Sequence, residues 1–186
     1  MSTADGNDVI SILTTDHHEV LELVQRIPSV EDSNVRGDMA DTLIAELMRH
    51  SVAEEMYVYS VMREHLPDGD AEVQHDIDEH QQLVEVMKEL ESIDPNDPAF
   101  FDVVSRLDAV LRDHVADEEN DQFPKLRTAL SQEQLVEIGV KVDAAKKAAP
   151  TRPHPGAPHS ALFHKALGPG VGLVDRLRDK LTGRPT

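Results

Sequence analysis

An all-α fold, an up-down-up-down four-helix bundle, is what this sequence predicts, on three observations. Apolar residues recur at threes and fours along residues 8–27, 33–65, 70–92 and 98–130. The connections between these stretches are short and rich in Pro, Asp and Gly. Strand signals are missing, and only 3% of residues are aromatic. Long amphipathic helices joined by short turns bury their apolar stripes against antiparallel neighbours.

The first helix, 8–27, carries Ile10, Leu13, Leu21 and Val24 on one stripe, and Pro28 ends it. The second, 33–65, stops before "LPDGD", a turn signal. The third, 70–92, is closed by "DPNDP". The fourth, 98–130, accepts Pro98 in its first turn, where a missing N–H costs nothing. Pro124 should kink or end that helix at or just before Phe123. Ser131 with Gln134 resembles a capping box and opens a short fifth helix that runs to about Ala149. A Pro-rich linker, "PTRPHPGAPH", follows, and the tail includes the weakly amphipathic "GLVDRLRDKL". The division expected is a bundle with its fifth helix over 1–149 and a Pro-rich, flexible or weakly helical tail over 150–186.

Composition narrows the function. The 36 acids against 18 Lys and Arg give a net charge of −18, which argues against nucleic acid and anionic membranes as partners. Cysteine is missing, which excludes disulfides, iron–sulfur clusters and zinc-thiolate sites. "MSTADGNDVI" does not read as a secretory signal, and no apolar run is long enough to span a membrane. A cytoplasmic protein is expected.

The seams of the helices are polar where they should be apolar. His17 falls between Leu13 and Leu21. His50, Glu54 and Tyr57 share a stripe with Leu43 and Leu47. His80 lies with Ile77, Leu83, Val84 and Met87, and the fourth seam runs Phe100, Val104, Leu107, Leu111, His114, Glu118. Counting residues from the turns puts Glu54 and His80 within about 3 Å of one height, and His80 and His114 within about 5 Å. Burying an unpaired carboxylate costs several kcal/mol. Metal coordination removes that cost, because imidazole and carboxylate are ligands of iron, zinc and manganese. Glu54 and Glu118, on facing helices, could bridge two ions. A ferritin-like carboxylate site would need ExxH on two helices, and only Glu72 with His75 supplies one inside the bundle. Six or seven N/O ligands overfill a zinc tetrahedron.

"DHHEV", "HSVAEE…Y", "HDIDEH" and "HVADEENDQFPKL" together resemble the four ligand segments of the hemerythrin-like family, the HHE cation-binding domain. The resemblance covers roughly residues 8–130. It implies a four-helix bundle around a non-haem di-iron centre, two iron ions bridged by an oxo or hydroxo group and by carboxylate. Carried over, the metal ligands are His17, His50 with Glu54, His75 and His80, and His114 with Glu118. Three departures stand out. His75 and His80 are five apart where the marine oxygen carriers of the family have HxxxH, and five residues turn about 140° on a regular helix. The fourth helix offers both Glu118 and Glu119, and seam position favours Glu118. Tyr57 stands where an apolar residue is expected, whereas Tyr59 reads as ordinary packing.

A centre of this type implies a small ligand: dioxygen, hydrogen peroxide or nitric oxide. One reading is a di-iron catalase- or peroxidase-like oxidoreductase acting on peroxide or nitric oxide. The other is reversible dioxygen binding, storage or sensing; iron handling is a third, though the missing cysteines remove a feature of cluster repair. Tyr57 as a metal-bound, catalytic phenolate would favour the ferric state and so the enzyme. His18 and His65 lie off the ligand layer, and His154, His159 and His164 fall in the linker and tail.

Overall fold

The computed structural model describes residues 7–153 and Asp179. The linker and tail expectations for the other residues after 153 lie outside the described residues. The helices are α1 (Val9–Arg26), α2 (Ser33–Tyr57), α3 (Tyr59–His65), α4 (Gly69–Ser92), α5 (Pro98–Asp117), α6 (Phe123–Ala129) and α7 (Gln132–Ala148). A π-helical turn, Glu118–Gln122, joins α5 to α6. No helix among the described residues is long and apolar enough to cross a membrane.

Side-chain caps set most helix starts by satisfying N–H groups that have no partner within the helix. Asp8 accepts from the Ser11 N–H at 2.9 Å, Asp32 from Asn34 at 2.8 Å and Asp97 from Ala99 at 2.9 Å. At α7 both halves of the capping box form, Gln134 N–H to Ser131 Oγ at 3.3 Å and Ser131 N–H to Gln134 Oε1 at 2.9 Å.

Two of the expected helices are each one helical path with a change of phase. Residues 33–65 divide at Val58 into α2 and α3. Residues 98–130 run through the π turn into α6, so Pro124 neither ends the path nor stands in a regular interior. It occupies the first turn of α6, where the wider π turn before it accommodates a residue without an N–H.

α1 packs on α2 and α5, and α4 packs on α2 and α5, so the four long helices close a square. Its interior is Leu13, Leu43, Leu47, Leu83, Met87, Leu107 and Leu111, all essentially fully buried. Each such side chain contributes about 1.5–3 kcal/mol on burial. α7 lies along α1 and α2, burying Leu135, Ile138 and Val142. Arg36 closes one end, donating to the Val30 carbonyl at 2.7 Å and from Nε to the Pro95 carbonyl at 3.0 Å, with its guanidinium 4.9 Å from the Phe101 ring centre.

Candidate metal centre

Six polar side chains interrupt the apolar seams at one level. His17 comes from α1, His50 and Glu54 from α2, His80 from α4, His114 from α5 and Glu118 from the first residue of the π turn. None is more than 3% exposed. The four-residue steps His50–Glu54 and His114–Glu118 put each pair on one helix face.

All four imidazoles turn Nε2 inward. His17 Nε2 is 3.2 Å from His50 Nε2 and 3.0 Å from Glu118 Oε2. His50 Nε2 and His80 Nε2 lie 3.1 and 3.5 Å from Glu54 Oε2, and His114 Nε2 is 3.7 Å from Glu118 Oε2. Yet both Glu54 oxygens, Glu118 Oε2, His80 Nε2 and His114 Nε2 are buried without a hydrogen-bond partner. These atoms face one another at ion-pair distance but out of hydrogen-bond alignment. Nitrogen and oxygen atoms bound about 2.1 Å from one ion lie about 3.0–3.4 Å apart when they are neighbours in its coordination shell. Three of the five separations fall in that range and the other two, 3.5 and 3.7 Å, are slightly longer, so the donor set fits a cation. Two overlapping groups form within 4.8 Å, His17, His50, His114 and Glu118, and Glu54, His80 and His114.

The outward nitrogens explain why Nε2 is free to bind. His17 Nδ1 is 2.8 Å from Glu119, His50 Nδ1 is 3.3 Å from Asp16, and His114 Nδ1 is 2.9 Å from Glu79. His80 Nδ1 is 3.2 Å from Glu55 and 2.9 Å from the Tyr59 hydroxyl. An ionised carboxylate only accepts, so each Nδ1 carries the proton and donates it. In the neutral ring this leaves the Nε2 lone pair pointing inward, as metal-bound histidines require.

These carboxylates form a closed ring. The acid of α1 serves the histidine of α2, that of α2 serves α4, that of α4 serves α5, and that of the π turn serves α1. Each acid is the sequence neighbour of an inward group: Asp16 precedes His17 and Glu79 precedes His80, while Glu55 follows Glu54 and Glu119 follows Glu118. The sign alternates because the helices alternate in direction. One step back on an ascending right-handed helix and one step forward on a descending one rotate the same way, by about 100°, as seen from one end.

The charges reflect this crowding. Burial alone would lower the His50 pKa, but Glu54, Asp16 and Glu118 outweigh it and raise it to about 10. Burial likewise opposes charge on His80, and Glu54 and Glu55 hold it well above the ordinary histidine value. The cluster of carboxylates thus favours positive charge among them. Beside it, burial pushes Asp76 up to about 7 against the Gln122 hydrogen bond that lowers it, and Gln122 Nε2 donates to Asp76 Oδ1 at 2.7 Å.

The structure brings His17, His50, Glu54, His80, His114 and Glu118 together and leaves His75 outside. His75 has a side chain 57% exposed, because α4 is regular from His75 to His80 and their five-residue step turns them apart. Tyr57 is half-buried at the end of α2. The phenol on the histidine layer is that of Tyr59, 3% exposed. A regular helix would carry Tyr59 about 140° away from Glu54, and the phase change at Val58 lies between the two. Burial, with Glu54 and Asp76 adding to it, raises the Tyr59 pKa well above its ordinary value, so it stays a neutral phenol. Sequence reasoning set Tyr59 aside as packing, weighed Glu119 only as an alternative ligand, and missed Asp16, Glu55 and Glu79. The adjacency of each acid to an inward group was the available signal.

The family model of the hemerythrin HHE cation binding domain matches residues 8–126. An uncharacterized hemerythrin-like protein of Schizosaccharomyces pombe is 30% identical over 171 residues, 91% of this chain and 84% of that protein. A DNA nickase of Nostoc sp. is 27% identical over 139 residues, 75% of this chain but only 39% of that protein. No solved structure matches the chain with significance. With a matching family model over most of its bundle and a cluster of histidines and glutamates suited to a cation, the chain belongs to the hemerythrin HHE cation-binding family.

Proposed function

We propose that the buried cluster holds two iron ions and that the protein disproportionates hydrogen peroxide, two molecules giving two of water and one of dioxygen. When bound, an iron pair supplies two-electron exchange with a small oxidant. His17, His50 and Glu118 would hold one ion, Glu54 and His80 the other, and His114 belongs to both groups. The complete burial of these side chains limits the ligand to peroxide or a diatomic such as nitric oxide.

The carboxylate ring carries the reading. A carboxylate on the Nδ1–H of a metal-bound imidazole raises the basicity of the ring. Four such partners favour the higher charge on the metal, and so the ferric state. That bias opposes reversible dioxygen carriage, which needs a durable ferrous state, and suits redox turnover. Asp76, with its pKa pushed up to about 7 by burial, can hold or release a proton near neutral pH. Tyr59, bonded to His80 and kept neutral, orients that imidazole. The nicking of DNA named for the Nostoc relative has no support from a net charge of −18.

The test is iron reconstitution of the full chain, followed by metal analysis and oxygen evolution from peroxide. Two irons per chain and steady turnover are expected. Glu119→Gln, at saturating iron, should keep its metal and lose about tenfold in rate. Reversible oxygen binding by the ferrous protein with no peroxide turnover would overturn the catalytic reading, and one iron per chain would overturn the pair.

A further inference from the structure

We propose that His75, Glu79 and Asp117 form a second, peripheral site for a first-row divalent cation, because the three converge beside a surface cleft that His75 and Asp117 line and whose wall includes Gln122, with an unpartnered, buried amide oxygen.

His75 Nε2 lies 3.3 Å from Glu79 Oε1 and 3.2 Å from Asp117 Oδ2, and one ligand atom of each residue falls within 4.8 Å of the others. Those separations again match neighbouring ligands about 2.1 Å from one ion. One imidazole with two carboxylates is a donor set for zinc, iron(II) or manganese, with positions left for water. The site differs from the buried centre in exposure. The His75 and Asp117 side chains are 57% and 55% exposed, so a hydrated cation can reach them.

The adjoining cleft, about 360 Å³, is lined by His75, Asp117 and Gln122 together with Glu72 and Asp121. Lys125 engages the last two, at 2.6 Å to Glu72 and 2.5 Å to Asp121. One ammonium offsets half the charge of these two acids, and His75 and Asp117 line the same cleft. Gln122 is 4% exposed. Its amide nitrogen is committed to Asp76, and its Oε1 has no hydrogen-bond partner. Gln122 thus leaves an unsatisfied acceptor in the wall beside His75 and Asp117.

Glu79 joins the two sites. Its Oε1 faces His75 and its Oε2 takes the Nδ1 proton of His114 at 2.9 Å. One carboxylate therefore lies between an exposed cation-binding group and a histidine of the buried cluster, a position suited to receiving a metal ion on its way inward. The proposal does not depend on what the buried centre catalyses.

Zinc is the probe, since it binds such donors more tightly than manganese, iron(II) or cobalt and has no redox chemistry of its own. Calorimetric titration of the iron-loaded full chain at pH 8 should show about one Zn²⁺ site that His75→Ala and Asp117→Asn each weaken at least tenfold. Iron content and melting temperature should stay unchanged, because both side chains are exposed. Equal zinc binding by the parent and both variants would overturn the site and leave the cluster as an ion pair. Loss of iron from the variants would overturn its separateness and return His75 to the buried centre, a result distinct from any failure of peroxide turnover.

Discussion

A single side chain at this centre acts through a helix other than its own. Glu119 rides on the π turn but holds the Nδ1 proton of His17 on α1, while its neighbour Glu118 points inward. Adjacent residues therefore divide two tasks, one turning a carboxylate into the buried cluster and the other aiming the next helix's imidazole. Neutralising any outer acid keeps the hydrogen bond but removes the charge that makes the imidazole basic. Asp16→Asn, Glu55→Gln, Glu79→Gln and Glu119→Gln should each weaken iron retention about 10- to 100-fold. Chelator competition reads this, with the exposed Glu19→Gln as a control that should change nothing. If the four outer variants hold iron as tightly as that control, the ring is packing and not tuning.

At the scale of helices, the phase changes decide which residues reach the centre. The inward histidines and glutamates were legible in sequence because four-residue spacing on a regular helix fixes a common face, whatever surrounds it. The outer acids were not, since each one's partner lies across a helix boundary and emerges only when the handedness of the square is known. Tyr59 was hidden for another reason: nothing about Val58 announces a break in phase, and Tyr57, which keeps regular spacing from His50 and Glu54, is only half-buried at the end of α2. Pro124 did mark the fourth helix at the right place, but as a kink instead of a π turn that continues. The α3–α4 turn then fixes how Tyr59 and His80 meet. A Cβ at Gly69 would stand 2.2 Å from the Met62 carbonyl oxygen and 2.8 Å from Arg63 Cα, both backbone atoms that cannot swing aside. Gly69→Ala should therefore cost about 1–3 kcal/mol in urea unfolding by forcing α3 and α4 apart. A neutral result would mean that the turn relaxes without moving either helix.

The whole bundle joins an apolar core to a polar layer whose buried carboxylates call for positive charge beside them. α7 packs on α1 and α2, and Lys146 on it pairs with Asp16, the acid that holds His50. Past α7, Arg152 binds Glu91 at 2.7 Å and Asp179 at 2.5 Å, and the Thr151 hydroxyl donates to Asp179 at 2.5 Å. The six clustered side chains all lie between residues 17 and 118, and a chain ending at Ala149 is expected to keep its metal. Metal removal is the more severe change. Without a cation, Glu54 and Glu118 keep buried oxygens that no hydrogen bond satisfies, and charge balance falls to protonated histidines such as His50. A ligand held a thousandfold below its free concentration stabilises the native state by about 4 kcal/mol. For a bundle of this size each kcal/mol shifts the melting temperature by about 2–4 °C. Chelator-stripped protein should thus melt at least about 8 °C below the iron-loaded form while keeping its helical circular dichroism at 20 °C, because the leucine core is untouched. The truncated chain should show the same difference between its two forms. An identical melting temperature with and without metal would mean that the buried carboxylates find their charge balance within the protein, and the cluster would then be no more than a network of ion pairs.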